Sequence, residues 1–424
     1  MKMKNITIFI ILTLVVGLLP TNIFADTFDD MRNNIAQSLR GGKGKGAPKR
    51  PCQYFELTKS GKPADIEEIK SCMAQRKNKD ARYYIDQYEI MYELIANKNN
   101  EGLKTLLKDE SWNPSIVIRG IGTVPTGIYI LDTNELLAAV PNQDQYLQLN
   151  TSQYLNLSLL VVATVFENKD AMEIIYNSTS NELKKRSLLF ALDTLIGNGS
   201  AHFKTLYNFA ASKTNKKEIT VYSMIASIQL KNHIKIKDLA QMHANDGGNL
   251  VDLFKSVITE YYSNDYKKGA DFSLLYDGIK KDIDTDGKNE ILSFLIKENV
   301  FNKKLITAVL DTLTLEDIRD GFEASVLLDS LTPQNADSID NLLYFIIKHS
   351  VIHSGNLRVT WGDSTISLFA YWVYKYADNG TYLKIGKTLY HNGASLDEVI
   401  MLDGKPQTLE SLLSSSTIDS LRYL

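Results

Sequence analysis

Leu157 to Tyr176 reads LSLLVVATVFENKDAMEIIY. Leu159, Val162, Ala163 and Phe166 recur at three- and four-residue spacing, which places them on one face of a helix. Glu167-Asn168-Lys169-Asp170 then breaks the apolar pattern with residues that favour turns and helix starts. A second apolar segment follows at once, so the stretch predicts two short helices joined by a tight turn.

The same arrangement recurs along the chain. Ser187 to Phe209, SLLFALDTLIGNGSAHFKTLYNF, carries Leu188, Ala191, Leu192 and Leu195 before a Gly-Asn-Gly-Ser turn. Gly287 to Leu310 predicts another pair with its turn near Asn299, and Tyr84 to Leu107 the first pair, with Tyr84, Tyr88, Met91, Tyr92 and Ile95 at helical spacing. From about Arg82 onward, amphipathic helices of about 8 to 14 residues alternate with turns rich in Asn, Asp, Gly and Ser. Strand-like alternation is rare and the chain holds only 9 prolines, which otherwise break helices. The expected fold class is all-α.

Two further elements repeat. Asp286-Gly287-Lys288 precedes Leu292 and Leu295, and Asp403-Gly404-Lys405 precedes Leu409 and Leu412 at the same offsets. Gly362 with Leu368 and Tyr371, and Gly122 with Ile128 and Leu131, follow suit. Lys268-Gly269-Ala270-Asp271-Phe272 stands before the first of these turns and Asn392-Gly393-Ala394-Ser395-Leu396-Asp397 before the second. Each reads as a glycine ending one helix, since glycine accepts a left-handed backbone without penalty, then an extended finger, then a turn opening the next helix.

Trp361 to Leu413 resembles ankyrin repeats. Asp363 to Ala377 is similar to the first helix, Tyr382 to Tyr390 to the second, Asn392 to Asp397 to the finger and Asp403-Gly404-Lys405 to the turn into the next unit. The Thr-Pro-Leu-His run of strong ankyrin repeats is absent, Lys405-Pro406-Gln407-Thr408-Leu409 being an echo of it, and Leu368 and Leu409 stand 41 positions apart where ankyrin units are close to 33. The resemblance implies a degenerate ankyrin-like helix-pair solenoid over residues 81–424, with a generic helix-pair solenoid as the alternative. Units too small to fold alone would be stabilised by stacking. It also implies that finger tips and inner helices form a concave binding face, which makes Asp271, Phe272, Leu396 and Asp397 candidate contacts.

The first 25 residues read as a secretory signal: Lys2 and Lys4, an apolar run from Ile8 to Leu19, Pro20, and a small residue, Ala25, at the cleavage point. An uncleaved anchor is the alternative. Export to the periplasm or the medium follows, with no membrane span after signal removal. Residues 26–51 are expected to form a short helix and a basic flexible linker, GGKGKGAPKRP over Gly41 to Pro51. Residues 52–80 are expected to form a small N-terminal cap stapled by Cys52 and Cys72, the only cysteines. In an oxidising compartment these read as one disulfide, worth about 3 kcal/mol for a loop of this size, with two free thiols as the alternative. Lys62-Pro63-Ala64-Asp65 opens a helix there, its acidic residue suited to the helix dipole.

Chemical motifs are few. Asp282-Ile283-Asp284-Thr285-Asp286-Gly287 matches the first half of a calcium-binding loop, but the twelfth position is Ser293 where a bidentate Glu is required, so Asp282, Asp284 and Asp286 are a weak calcium candidate beside a structural turn. His349 and His353 have metal-ligand spacing without the Glu of a zinc-protease motif, and His202 near Ser200 lacks a nucleophile elbow. No phosphate loop or dinucleotide fingerprint is present, and no cofactor is expected. The net charge of −3 argues against nucleic acid as a partner. Tyr371, Trp372, Tyr374 and Tyr376 cluster on one predicted helix that cannot bury all of them, which makes Tyr371, Trp372 and Tyr374 candidate anchors for a protein partner. The expected function is an exported, non-catalytic scaffold of an envelope assembly or one acting on a host. The alternatives are an enzyme with its site in an irregular 210–260 region, or a calcium-stabilised repeat protein.

Overall fold

The computed structural model of the protein describes residues 58, 62–76, 81–121, 124–131, 135–139, 154–263, 270–298, 300, 302–314, 316–318, 323–329, 331–349, 353–362 and 364–423. The expected signal segment, the linker and Cys52 lie outside these residues. The described chain is mostly helical, in two units, residues 1–235 and 236–424. The fold class is thus mostly helical, in keeping with the all-α expectation, with one four-stranded sheet and two β-hairpins standing between the helices.

In the first unit, α1 (Pro63–Ala74) begins at a proline whose missing N–H costs nothing in a first helical turn. It buries Ile66, Ile69 and Met73 and packs against α3 (Asn100–Leu107). Cys72 lies on α1 and is not a free thiol. The helix α2 (Ala81–Ala96) pairs with α3, α4 (Leu159–Val165) with α5 (Lys169–Ser178), and α6 (Asn181–Gly197) with α7 (Phe203–Lys213) and α8 (Lys216–Gln229).

One turn design closes these pairs. After α2, Lys98 takes φ 55° and the Asn99 N–H donates to Leu94 O at 2.8 Å. After α4, Glu167 takes φ 51° and the Asn168 N–H donates to Ala163 O at 2.8 Å; after α8, Lys231 takes φ 53° and the Asn232 N–H donates to Ser227 O at 2.8 Å. These are left-handed helix endings in which the amide of the following residue returns to the last full turn. The asparagine Oδ1 then caps the next segment, accepting from Gly102 N at 3.0 Å, Ala171 N at 3.1 Å and Lys235 N at 3.1 Å respectively. The Nδ2 of the same residue reaches back to an earlier segment: Asn99 to Thr58 O at 3.1 Å, Asn168 to Ile95 O at 3.0 Å and Asn232 to Ile196 O at 2.7 Å. One asparagine thus ends one helix through its backbone N–H, and through its side chain starts another and ties the turn to an earlier segment.

The sheet comprises β1 (Ile116–Ile121), β2 (Val124–Ile130), β3 (Glu135–Ala139) and β4 (Tyr154–Ser158), antiparallel in the order β3-β2-β1-β4. In register, Ile118 pairs with Ile128 of β2 and with Leu157 of β4. Ile116, Val117 and Ile118 are all buried, and such β-branched residues fit a pleated, covered surface better than a helix. Ser158 ends β4 and caps α4, its hydroxyl accepting from Val161 N.

The residues 210–260, expected to be irregular, are regular helices: the end of α7, α8, α9 (His233–Asn245) and most of α10 (Leu250–Ser263). The unit boundary falls inside α9. The second unit continues with α11 (Ser273–Ile279), α12 (Thr285–Lys297), α13 (Lys303–Leu310), α14 (Val326–Asp329) and α15 (Ala336–His349). A hairpin of β5 (Arg358–Trp361) and β6 (Ser364–Ser367) then leads into α16 (Leu368–Tyr376) and α17 (Leu383–His391). A second hairpin, β7 (Val399–Leu402) and β8 (Lys405–Thr408), precedes the last helix, α18 (Ser415–Arg422).

The two Asp-Gly-Lys strings are not structural equivalents. Asp284 caps α12 by accepting from Gly287 N at 2.8 Å, so Asp286-Gly287-Lys288 lies in a first helical turn. Asp403 and Gly404 both take positive φ, 50° and 74°, and form the tip of a hairpin, the backbone combination a two-residue primed turn requires. Pro406 stands where α12 has the buried Asn289, and a proline there would remove a helical hydrogen bond and clash with the preceding turn.

Candidate protein-interaction surface

The two hairpins of the second unit project as β-fingers built alike. Trp361 pairs with Ser364 around Gly362 (φ 59°), and Leu402 pairs with Lys405 around Asp403 and Gly404. At the bases, Leu368 N donates to Leu357 O at 2.8 Å and Leu409 N to Glu398 O at 3.0 Å. Glu398 joins the fingers: it accepts from Ser367 N at 3.0 Å and from the Ser367 hydroxyl, and faces Arg358 at 3.8 Å. Ala324 N donates to Arg358 O at 3.1 Å and Thr360 Oγ1 to Glu323 at 2.9 Å, which covers the free edge of β5. On β8, Pro406 has no N–H to offer another strand, a recognised way of blunting a sheet edge.

Each finger has two faces. Val359, Ile366 and Ile400 point into the unit and are buried. The opposite face exposes Arg358, Thr360 and Thr365 on the first finger and Val399, Met401, Pro406 and Thr408 on the second. Val399 and Met401 are each 57% exposed, unusual for large apolar side chains. Near the tip of the first finger, the half-buried Trp361 ring lies 4.5 Å from that of Tyr374, which is itself 53% exposed on α16.

The aromatic cluster expected on this helix divides between core and surface. Trp372 is fully buried, stacks on Phe369 at 5.8 Å and donates through Nε1 to Tyr382 O at 3.1 Å. Tyr371 is also buried; its hydroxyl donates to Asp329 Oδ1 at 2.6 Å and accepts from Lys375, whose ammonium sits 4.5 Å over the ring. Burial foremost, with Asp329, raises the Tyr371 pKa, against the opposing pull of Lys375. Phe272 and Leu396 are buried too, Phe272 edge-on to Tyr261 at 4.8 Å. These four side chains already have their packing partners inside the protein. Tyr374 and Asp397 remain exposed. Asp271 is spent locally: it accepts from Ser273 N at 3.2 Å and pairs with Lys304. Burial pushes its carboxyl up, but Lys304 and Ser273 outweigh that and hold it below the usual carboxylate range. Reading the sequence missed Trp361, Val399 and Met401. The available signals were a bulky aromatic one residue before a glycine turn and the short run Val399-Ile400-Met401-Leu402 between two aspartates.

Groups with chemical potential are dispersed. Asp284 is the α12 cap, Asp282 and Asp286 are exposed beside it, and Ser293 lies within the helix rather than closing a loop. No cluster of three metal-ligating side chains occurs among the described residues. His349 ends α15 and bonds Asp311 at 2.8 Å, while His353 lies beyond that helix. His202 lies 3.7 Å from Glu167. Asp193, on α6, accepts from the Tyr222 hydroxyl at 2.7 Å; burial pushes its carboxyl up to about 6, with Tyr222 pulling the other way. Its second oxygen is buried without a partner.

Comparison of the chain with family models, with curated proteins and with solved structures finds no match.

Proposed function

We propose that this chain is an exported, ankyrin-like repeat scaffold that binds a partner protein through its β-fingers and the adjoining helix face, without catalysing a reaction. The observation that carries the reading is the finger pair itself. Two hairpins of matching register hold their inner faces in the core and leave Val399 and Met401 to solvent, while the half-buried Trp361 of the first packs against the exposed Tyr374 of α16. Exposed aromatic and long apolar side chains on a rigid base are efficient anchors, because little conformational freedom is lost when a partner covers them. The hydrogen bonds that tie the two fingers to each other and to the residues before β5 support a scaffold role, since side chains held in place need less reordering on binding. Export rests on the signal-like residues 1–25, and a Cys52–Cys72 bridge would stiffen the entry to the first helix pair.

The test is affinity capture from the native organism with the oxidised chain from Asp26 onward. The bait is run beside a Trp361→Ala/Tyr374→Ala variant that retains the wild-type thermal melt. A stoichiometric protein partner retained by the first bait and reduced at least tenfold with the second supports the reading. Equal capture by both baits, or no stoichiometric partner, refutes it.

A further inference from the structure

The near-neutral charge of the whole chain conceals an uneven distribution of carboxylates. Residues 81–235 hold 15 Lys and Arg and 15 Asp and Glu, whereas residues 236–424 hold 18 against 27. The excess of carboxylates reaches the C-terminal finger. Asp397 precedes β7 and Asp403 follows it, both exposed, with Val399 and Met401 between them. Glu398 is engaged by Ser367 and Arg358, and Glu410 by Arg422, but neither Asp397 nor Asp403 forms an ion pair among the described residues. Opposite Val399 and Met401 on the same face stand Thr408 and Pro406. Lys405, the cation of this finger, pairs with Leu402 and so belongs to the other face.

We propose that this exposed face of β7 and β8 takes an extended segment of a partner protein with an apolar centre and basic residues at both ends. This names the partner chemistry for the binding role proposed above and rests on that reading. Covering the exposed parts of Val399 and Met401 supplies the attraction, and the flanking carboxylates select the sign of the ends. A second copy of the chain is a poor occupant, because a two-fold contact centred on this face would set the Asp397 of each copy against the Asp403 of the other. The basic stretch Arg40 to Pro51 of this chain has the charge but no large apolar side chain.

The test uses the oxidised chain from Asp26 with ¹³C-methyl methionine, the Met401 signal being assigned by its loss in Met401→Leu. Three capped pentapeptides are titrated: Lys-Val-Leu-Val-Lys, Glu-Val-Leu-Val-Glu and Lys-Ser-Ser-Ser-Lys. The first is expected to shift the Met401 methyl saturably, and Asp397→Asn/Asp403→Asn to weaken it at least fivefold, as does raising the salt. Asparagine is chosen because it tolerates the left-handed backbone of residue 403. Equal response to the glutamate-ended peptide, equal response to the serine-centred peptide, or no shift of Met401 overturns the proposal. Since capture of a partner is scored through Trp361 and Tyr374, failure here with capture intact removes only the assignment to this face and its charge.

Discussion

Asn168→Ala removes one side chain from three contacts and is the sharpest probe of how the helix pairs are joined. Asn168 is buried; its Oδ1 caps α5 through Ala171 N, and its Nδ2 bonds both Ile95 O and Asn100 Oδ1, the latter at 2.9 Å. Loss of the cap costs about 1 kcal/mol. Loss of the bond to Ile95 costs about 1 kcal/mol more, without a full desolvation penalty, because that carbonyl still accepts from Lys98 N at 3.1 Å. Asn100 lies nearer solvent and adds little. The sum is about 2 kcal/mol, equivalent to a fall in Tm of about 4–8 °C for a unit of this size. Asn168→Ser keeps a capping oxygen but cannot reach Ile95, so about half the loss is expected. Urea unfolding followed by circular dichroism measures both, with unchanged slope as the check that the denatured state is not the cause. An alanine variant within about 0.5 kcal/mol of the wild type, the low edge of a cap's contribution, would refute the reasoning; so would a serine variant as damaged as alanine.

Other outcomes follow from single contacts. Asp193 has a folded-state pKa of about 6, above an unfolded value near 3.9, so the folded state holds the proton more tightly. That stabilisation is complete below about pH 4 and is lost as the pH rises through about 6; Asp193→Asn is expected to raise stability at pH 7 by about 1–2 kcal/mol and to flatten the dependence between pH 4 and 7. Urea midpoints across that range would show it, and an unchanged slope in the variant would contradict it. A side chain at Gly386 meets the Trp372 ring, so Gly386→Ala is expected to lose about 1–3 kcal/mol, and a Trp372→Phe partner to recover part of that in a double-mutant cycle. Strict additivity of the two would oppose the contact. Thiol titration of the unfolded, unreduced chain from Asp26 is expected to find no free thiol, and two thiols would remove the Cys52–Cys72 bridge.

The helix pairs were legible because their apolar residues keep a period near 3.6 and their turns are rich in Asn and Gly, an asparagine following the left-handed residue in three of them. Leu159, Val162 and Ala163 sit in α4 as their spacing requires. The sheet was not legible by that route. Ile116-Val117-Ile118 is apolar at every position, a pattern without a period, and only its β-branched content points to a strand. Glu135-Leu136-Leu137-Ala138-Ala139 reads locally as helix, yet pairing with β2 draws it into an extended strand. The aromatic helix shows a similar limit. Spacing shows that α16 carries aromatics all round, but not that Trp372 faces α17 and Tyr374 faces Trp361; that depends on where the finger lies.

Ser158 and Ser367 have the same task in different surroundings. Each ends a strand and offers its hydroxyl to the backbone of the helix that follows, to Val161 N at 3.4 Å and to Ala370 N at 3.0 Å. Ahead of Ser158 stand four strands; ahead of Ser367, two. The helix therefore starts in the same manner whatever length of polypeptide precedes the serine. Such a junction tolerates growth and loss of the segment before it, so descendants of a common ancestor would diverge in those excursions while keeping the asparagine-bearing bends. Recognition could then change by splicing one excursion for another while the serine-capped start of the following helix stays the same.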